Sequence, residues 1–88
     1  ILYIESGDKY CMAYTVDGTS FLARLSMNQM EALLPEALFM RVHRSYIIAL
    51  EHVRSVNFFE GEVKVGTNSL PLSRDKSKQL REQIQWLK

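Results

Sequence analysis

The stretch Phe39-Met40-Arg41-Val42-His43-Arg44-Ser45-Tyr46-Ile47-Ile48 sets two apolar runs on either side of a polar step. Residues 39–42 and 46–50 read as extended segments, and His43-Arg44-Ser45 as the break between them. Three adjacent side chains at the break hydrogen-bond outward. Arg44 carries a planar fork that fits a guanine edge or a phosphate, His43 donates or accepts, and Ser45 can hold a phosphate oxygen. Strands that follow one another through turns this short pair antiparallel, so mainly antiparallel sheets are expected.

Toward the N-terminus, residues 2–4 form a short apolar run that ends at Ser6-Gly7-Asp8, a buried strand and its turn. From Lys9 to Val16 the pattern alternates, with Tyr10, Met12, Tyr14 and Val16 on one face and Lys9, Cys11, Ala13 and Thr15 on the other. Asp17-Gly18 is expected to supply the positive φ angles of a two-residue hairpin turn into a partner strand at residues 19–24. Ser26-Met27-Asn28-Gln29 fits a capping box, with Leu25 and Met30 placed as a hydrophobic staple. Met27, Met30, Leu33 and Leu34 share the apolar face of the helix that follows, and Pro35 stops it. Such a stripe packs a core; it is not a cofactor box.

Toward the C-terminus, residues 53–59 and 62–65 predict a second hairpin around Glu60-Gly61, and residues 66–68 turn the chain into a strand at 69–72. Ser73 is expected to N-cap a last helix, with Asp75 in its first turn. Leu80, Ile84 and Leu87 form that helix's apolar face, and Lys76, Lys78 and Arg81 stay polar. The expected fold class is mainly β (α+β): small antiparallel sheets packed together with two short helices.

Eighty-eight residues make one domain with a modest core. Hydrophobic residues at 47% and charged residues at 24% are ordinary for a globular chain. No apolar run approaches the ~20 residues of a membrane span, so no membrane contact is expected of this domain. One cysteine, Cys11, excludes an internal disulfide and a four-cysteine zinc site, and fits a reducing, cytoplasmic setting. The chain opens at Ile1 inside an apolar stretch, and is expected to be the C-terminal part of a longer protein. Net charge is +1, but residues 1–38 hold two basic against five acidic residues, and residues 39–88 nine against five. The second half is therefore the one suited to a polyanion.

Enzyme chemistry finds little support. His43 and Ser45 with Glu51 could be assembled into a nucleophile set, but no Gly-x-Ser-x-Gly elbow is present and nothing suggests an oxyanion hole. His43, His52 and Cys11 lack metal-ligand spacing, there is no phosphate-cradling glycine loop, and no cofactor is implied. Cys11 reads as a small packing residue. A second anion-friendly stretch is Leu72-Ser73-Arg74-Asp75-Lys76-Ser77-Lys78, where Arg74 and Lys76 stand at a helix start.

Three segments in order resemble the LytTR-type DNA-binding domain: Tyr3-Ile4-Glu5-Ser6-Gly7-Asp8-Lys9-Tyr10, the stretch 39–48, and Leu70-Pro71-Leu72-Ser73-Arg74, with Val53 between. Phe-x-Arg-x-His-Arg-Ser-Tyr is the specific part, and the likeness covers nearly the whole chain. It implies the output domain of a bacterial two-component response regulator. It further implies that DNA is touched by loops: the one before the second strand, the His-Arg-Ser step and the start of the last helix. Carried over by residue, the middle site is His43 and Arg44, the last is Arg74, and the first loop falls around Asp8, Lys9 and Tyr10, where Tyr10 is either a contact or a structural residue. His43, Ser45, Lys9, Lys76 and Lys78 are expected to position the backbone. The implied partner is double-stranded DNA with repeated half-sites, bound by a dimer formed through an upstream receiver domain. The family shows Asn, a turn or cap residue, where this chain has Ala49. A protein-interaction module that kept the fold without DNA binding is the alternative, with Phe58 and Phe59 as its exposed apolar residues.

Overall fold

Short alternating segments separated by turn residues build eight strands. β1 (Tyr3–Ser6), β2 (Cys11–Tyr14), β3 (Ser20–Ala23), β4 (Phe39–His43) and β5 (Tyr46–Ala49) form one sheet in the order β3-β2-β1-β5-β4. β6 (Val53–Asn57), β7 (Glu62–Val65) and β8 (Asn68–Pro71) form a second, three-stranded sheet. Every pairing is antiparallel. The computed structural model describes residues 1–84, so Leu87 lies outside the described residues.

The central strands β1 and β5 of the five-stranded sheet are buried on both faces, while the edge strand β3 stays exposed, and the side chains divide by the strand period of two. Ile4 and Ile47 face each other across β1 and β5 on one side. With Cys11 and Ala13 they pack under α1 (Met27–Leu33) through Met27. Their neighbours Tyr3 and Ile48 point to the other side. There they join Met40 and Val42, the inner face of the second sheet (Val63, Val65, Leu70), and Leu80 of α2 (Ser77–Ile84). β7 shows the period in miniature: Val63 and Val65 are buried, while Glu62 and Lys64 are exposed. Cys11 is a buried packing residue, and burial pushes its thiol pKa up.

The capping box forms as the local sequence requires. Ser26 Oγ accepts from the Gln29 N–H at 3.1 Å, and Gln29 Oε1 accepts from the Ser26 N–H at 2.9 Å. Leu33 departs from the apolar face assigned to it and is 69% exposed, because the helix ends there and Leu34 turns in extended geometry.

Three further expectations are corrected. Asp17 does not take a positive φ; the turn between β2 and β3 holds three residues, 16–18, between Thr15 and Thr19, closed by Thr15 N–H to Thr19 O at 3.0 Å, and only Gly18 in it is left-handed (φ +89°). Asp17 instead accepts from Thr15, Thr19 and the Thr19 N–H, which holds its carboxyl below the usual range. Phe58 and Phe59 are in the β6–β7 turn, not in the strand, which ends at Asn57. Ser73 makes no side-chain cap bond, because the last helix opens with a 3₁₀ turn (Arg74–Lys76) that its backbone carbonyl closes through the Lys76 N–H at 3.0 Å. Ala49 precedes a 3₁₀ turn (Leu50–His52) as its N-cap and has no side chain to cap it, which is the place an Asn would serve.

Candidate nucleic-acid interface

Chain direction brings three loops to one end of the domain. β1 and β4 run toward that end, and β5 runs away from it. The turn at residues 7–10 and the His43-Arg44-Ser45 turn are therefore neighbours, tied by the Ser6 N–H to Ser45 O at 2.9 Å. β8 also runs toward this end. Its continuation is fastened twice: Leu72 N–H donates to Gly61 O, and Ser73 N–H to Val42 O, both at 2.8 Å. The second bond seats the loop carrying Arg74 directly against the strand that leads into His43 and Arg44.

Each loop has a local cause. In the 7–10 turn, Gly7 N–H donates to Tyr10 O at 2.8 Å. The Tyr10 ring lies over Gly7 so closely that a Cβ there would sit 2.3 Å from it, so Tyr10 serves the turn's structure. Lys9 is the one described non-glycine residue with positive φ (68°), and its side chain is exposed at the tip. In the 43–45 turn, a β-bulge shifts the register between Arg41 and His43, so that His43 stands opposite Tyr46. The bulge turns His43 to the same face as Tyr46, with ring centroids 5.9 Å apart.

His43 Nδ1 accepts from the Ser45 N–H at 3.1 Å, which leaves Nε2 as the donor of the neutral ring. The pairing is with the Ser45 backbone, not its hydroxyl. Glu51 is at the far end of the domain, 3.6 Å from His52, so the three groups do not form a nucleophile set. Tyr46 Oη donates to Glu5 Oε2 at 3.3 Å, and Tyr3 stacks on Tyr14 at 4.8 Å. This layer backs the turn with packed rings. Burial raises the pKa of Tyr3, Tyr14 and Tyr46, and the Glu5 charge adds to it in all three.

Arg44 and Arg74 are both exposed. Between their loops lies an open cleft of about 380 Å³ lined by Arg41, His43, Arg44, Ser73 and Lys76, with the carboxylates of Glu31 and Asp75. Ser45 is half-buried at the turn. Of the chosen residues, His43, Arg44 and Lys76 line the cleft, whereas Lys9, Ser45, Arg74 and Lys78 do not, and Lys78 stands exposed on α2.

One residue escaped the sequence reading. Arg41 Nη1 donates to Asn28 Oδ1 at 2.6 Å and to Glu31 Oε1 at 3.3 Å, and Nη2 donates to Arg44 O at 2.7 Å. Its partners on α1 are thirteen and ten residues away in sequence. The available signal was a charge in the middle of an apolar alternation, on the face shared by Phe39 and Ile47; a half-buried guanidinium there needs acceptors.

Comparison with known proteins identifies the fold and the family. A solved LytTr DNA-binding domain, from a protein of Bacillus cereus described as a methyl-accepting/DNA response regulator, has the same fold. The TM-score is 0.83 at 22% identity, over 96% of this chain and 80% of that one. A CO-responsive transcriptional regulator, RcoM of Rhodospirillum rubrum, is 42% identical over 55 residues. That match covers 62% of this chain and 23% of the relative, so the chain spans under a quarter of its length. The LytTr DNA-binding domain model matches residues 1–85, nearly the whole chain. With the three loops gathered at one end and the family pattern running the length of the fold, the chain belongs to the LytTR family of DNA-binding domains.

Proposed function

We propose that this domain recognises double-stranded DNA by sequence, with Arg44 and Arg74 reading base edges in the major groove. It does so as the output domain of a bacterial two-component response regulator. The observation that carries the reading is the Ser73 N–H to Val42 O bond, which makes neighbours of the two loops bearing the two exposed guanidiniums. His43, through Nε2, and Ser45, Lys9 and Lys76 hold the phosphate backbone, and Lys78 adds only to the general field. Net charge of +1 makes one copy a modest binder, so two copies on repeated half-sites, brought together by an upstream receiver domain, supply the affinity. Regulatory input belongs to the rest of the protein.

The test is a titration against duplexes that the wild-type chain selects from a random-sequence pool. Arg44→Ala and Arg74→Ala are each expected to cost about 1–3 kcal/mol and to relax preference at one position of the site. With about four phosphates neutralised, log K should fall against log salt with a slope near −3.6. Unchanged affinity and unchanged preference in both variants would remove the assignment.

One observation favours the second reading, a protein-interaction module. Phe59 is 98% exposed at the tip of the β6–β7 turn. Phe58 is not available to it, since it packs against the core with the Arg81 guanidinium 4.1 Å above its ring. That reading expects no salt-dependent retention on any duplex.

A further inference from the structure

We infer that Arg41 is a positioning residue for DNA readout: it makes α1, which supplies none of the proposed contacts, part of the machinery that presents Arg44. The inference rests on the DNA-binding reading above and extends it to a residue outside the contact set.

The geometry is a three-way strut. The guanidinium leaves β4 and is gripped on one side by Asn28 and Glu31 of α1. On the other it holds the carbonyl of Arg44, the residue at the tip of the turn. The fork is planar and rigid, so fixing one edge on α1 fixes the direction of the other. The turn has few alternative restraints. Beyond the His43–Tyr46 pairing that closes the hairpin, its other ties are the Ser45 N–H to His43 Nδ1 and the Ser45 carbonyl to β1, and none of these touches Arg44 itself. The Arg41 side chain is 18% exposed and its Nη1 and Nη2 groups take three internal acceptors, so the group is spent on internal contacts more than offered to solvent. A guanidinium meant as a phosphate contact would leave its fork free. Here three acceptors occupy it.

Positioning and plain electrostatics differ in sign, which makes the inference testable. Glu31 places a negative charge beside the proposed interface. If charge were its whole effect, Glu31→Gln would tighten every duplex. If it anchors Arg41, Glu31→Gln combined with Asn28→Ala loosens the Arg44 turn and lowers the ratio of selected to shuffled duplex affinity. The expected drop is about fivefold, with little change in salt slope. In an Arg44→Ala background the same pair of changes should leave the ratio where Arg44→Ala alone puts it. Arg41→Lys keeps the charge but not the fork, and should lower the ratio as the pair does. A second readout needs no DNA. Amide hydrogen exchange at Ser45 should quicken in the Asn28→Ala/Glu31→Gln variant while exchange at buried Ile48 stays unchanged.

A ratio that holds or rises in both variants, or an effect that persists without Arg44, overturns the inference. If the wild-type chain selects no duplex, the DNA-binding reading fails. The strut is then judged by exchange alone: an unchanged Ser45 rate removes it.

Discussion

At the scale of single residues, the domain divides its cations by what surrounds them. Arg41 is wrapped by acceptors from α1 and the turn, Arg81 lies over Phe58, and Arg44 and Arg74 stay exposed. A guanidinium already engaged in three hydrogen bonds loses them if it turns to DNA, whereas an exposed one loses only water. The core is as economical. Leu80 is fully buried among residues of both sheets and is the one buried residue of α2. Leu80→Ala is expected to cost about 2–5 kcal/mol, a large share of the roughly 5–15 kcal/mol that holds a domain together. A denaturant titration reads this directly. Since α2 follows from the Arg74 turn, the variant should also lose preference among duplexes before it loses general retention.

At the scale of elements, turns decide where the loops stand. Gly18 and Gly61 are both left-handed, at φ +89° and +72°. A Cβ on Gly18 meets nothing, while a Cβ on Gly61 would lie 3.0 Å from the carbonyl oxygen of Leu72. Gly18→Ala should therefore cost about 1–2 kcal/mol for the backbone conformation alone. Gly61→Ala should cost more, because it also pushes Leu72 and hence the loop that carries Arg74. Melting curves of the two variants give the difference, and only Gly61→Ala should weaken binding to selected duplexes. Both hairpins were legible as hairpins, since Asp-Gly and Glu-Gly between alternating runs permit little else. The loop length at Asp17-Gly18 was not, because the Thr15, Asp17 and Thr19 hydrogen bonds stabilise a three-residue closure that the dipeptide alone does not specify.

At the scale of the whole molecule, the aromatic layer behind the interface links stability to pH. Tyr3, Tyr14 and Tyr46 have pKa values raised, first by burial and then by nearby groups: Glu5 acts on all three, Tyr14 on Tyr3 and Tyr46, and Tyr10 on Tyr14. The folded state therefore favours the neutral phenols. Their contribution is fully present below the unfolded value near pH 10, and is lost as pH rises through the higher folded values. Urea midpoints measured from pH 8 to 11.5 should fall above pH 10, and Tyr14→Phe should flatten the fall. Because Tyr46 packs on His43, loss of the layer should loosen the recognition turn as well. Among the described residues, no helix is long and apolar enough to cross a membrane.

Local rules carried the sequence a long way. The Ser26–Gln29 box, the alternation of β2 and β7, and the stop at Pro35 each depend on residues within a few positions, so the chain itself determined the elements and their antiparallel order. The motif around His43-Arg44-Ser45 and the Leu-Ser-Arg segment pointed to the proposed contact residues by resemblance to the family. Three things came only with the tertiary structure. The bulge at Arg41–His43 re-aims His43 toward Tyr46, a matter of register against a partner strand. The contacts of Arg41 reach α1, which the sequence places near but cannot orient. The Ser73 to Val42 bond joins residues thirty-one positions apart (73 − 42) and brings together the loops that carry Arg44 and Arg74. Elements arise from short-range periodicity, whereas a site assembled from several of them exists only once long-range packing has fixed which ends meet.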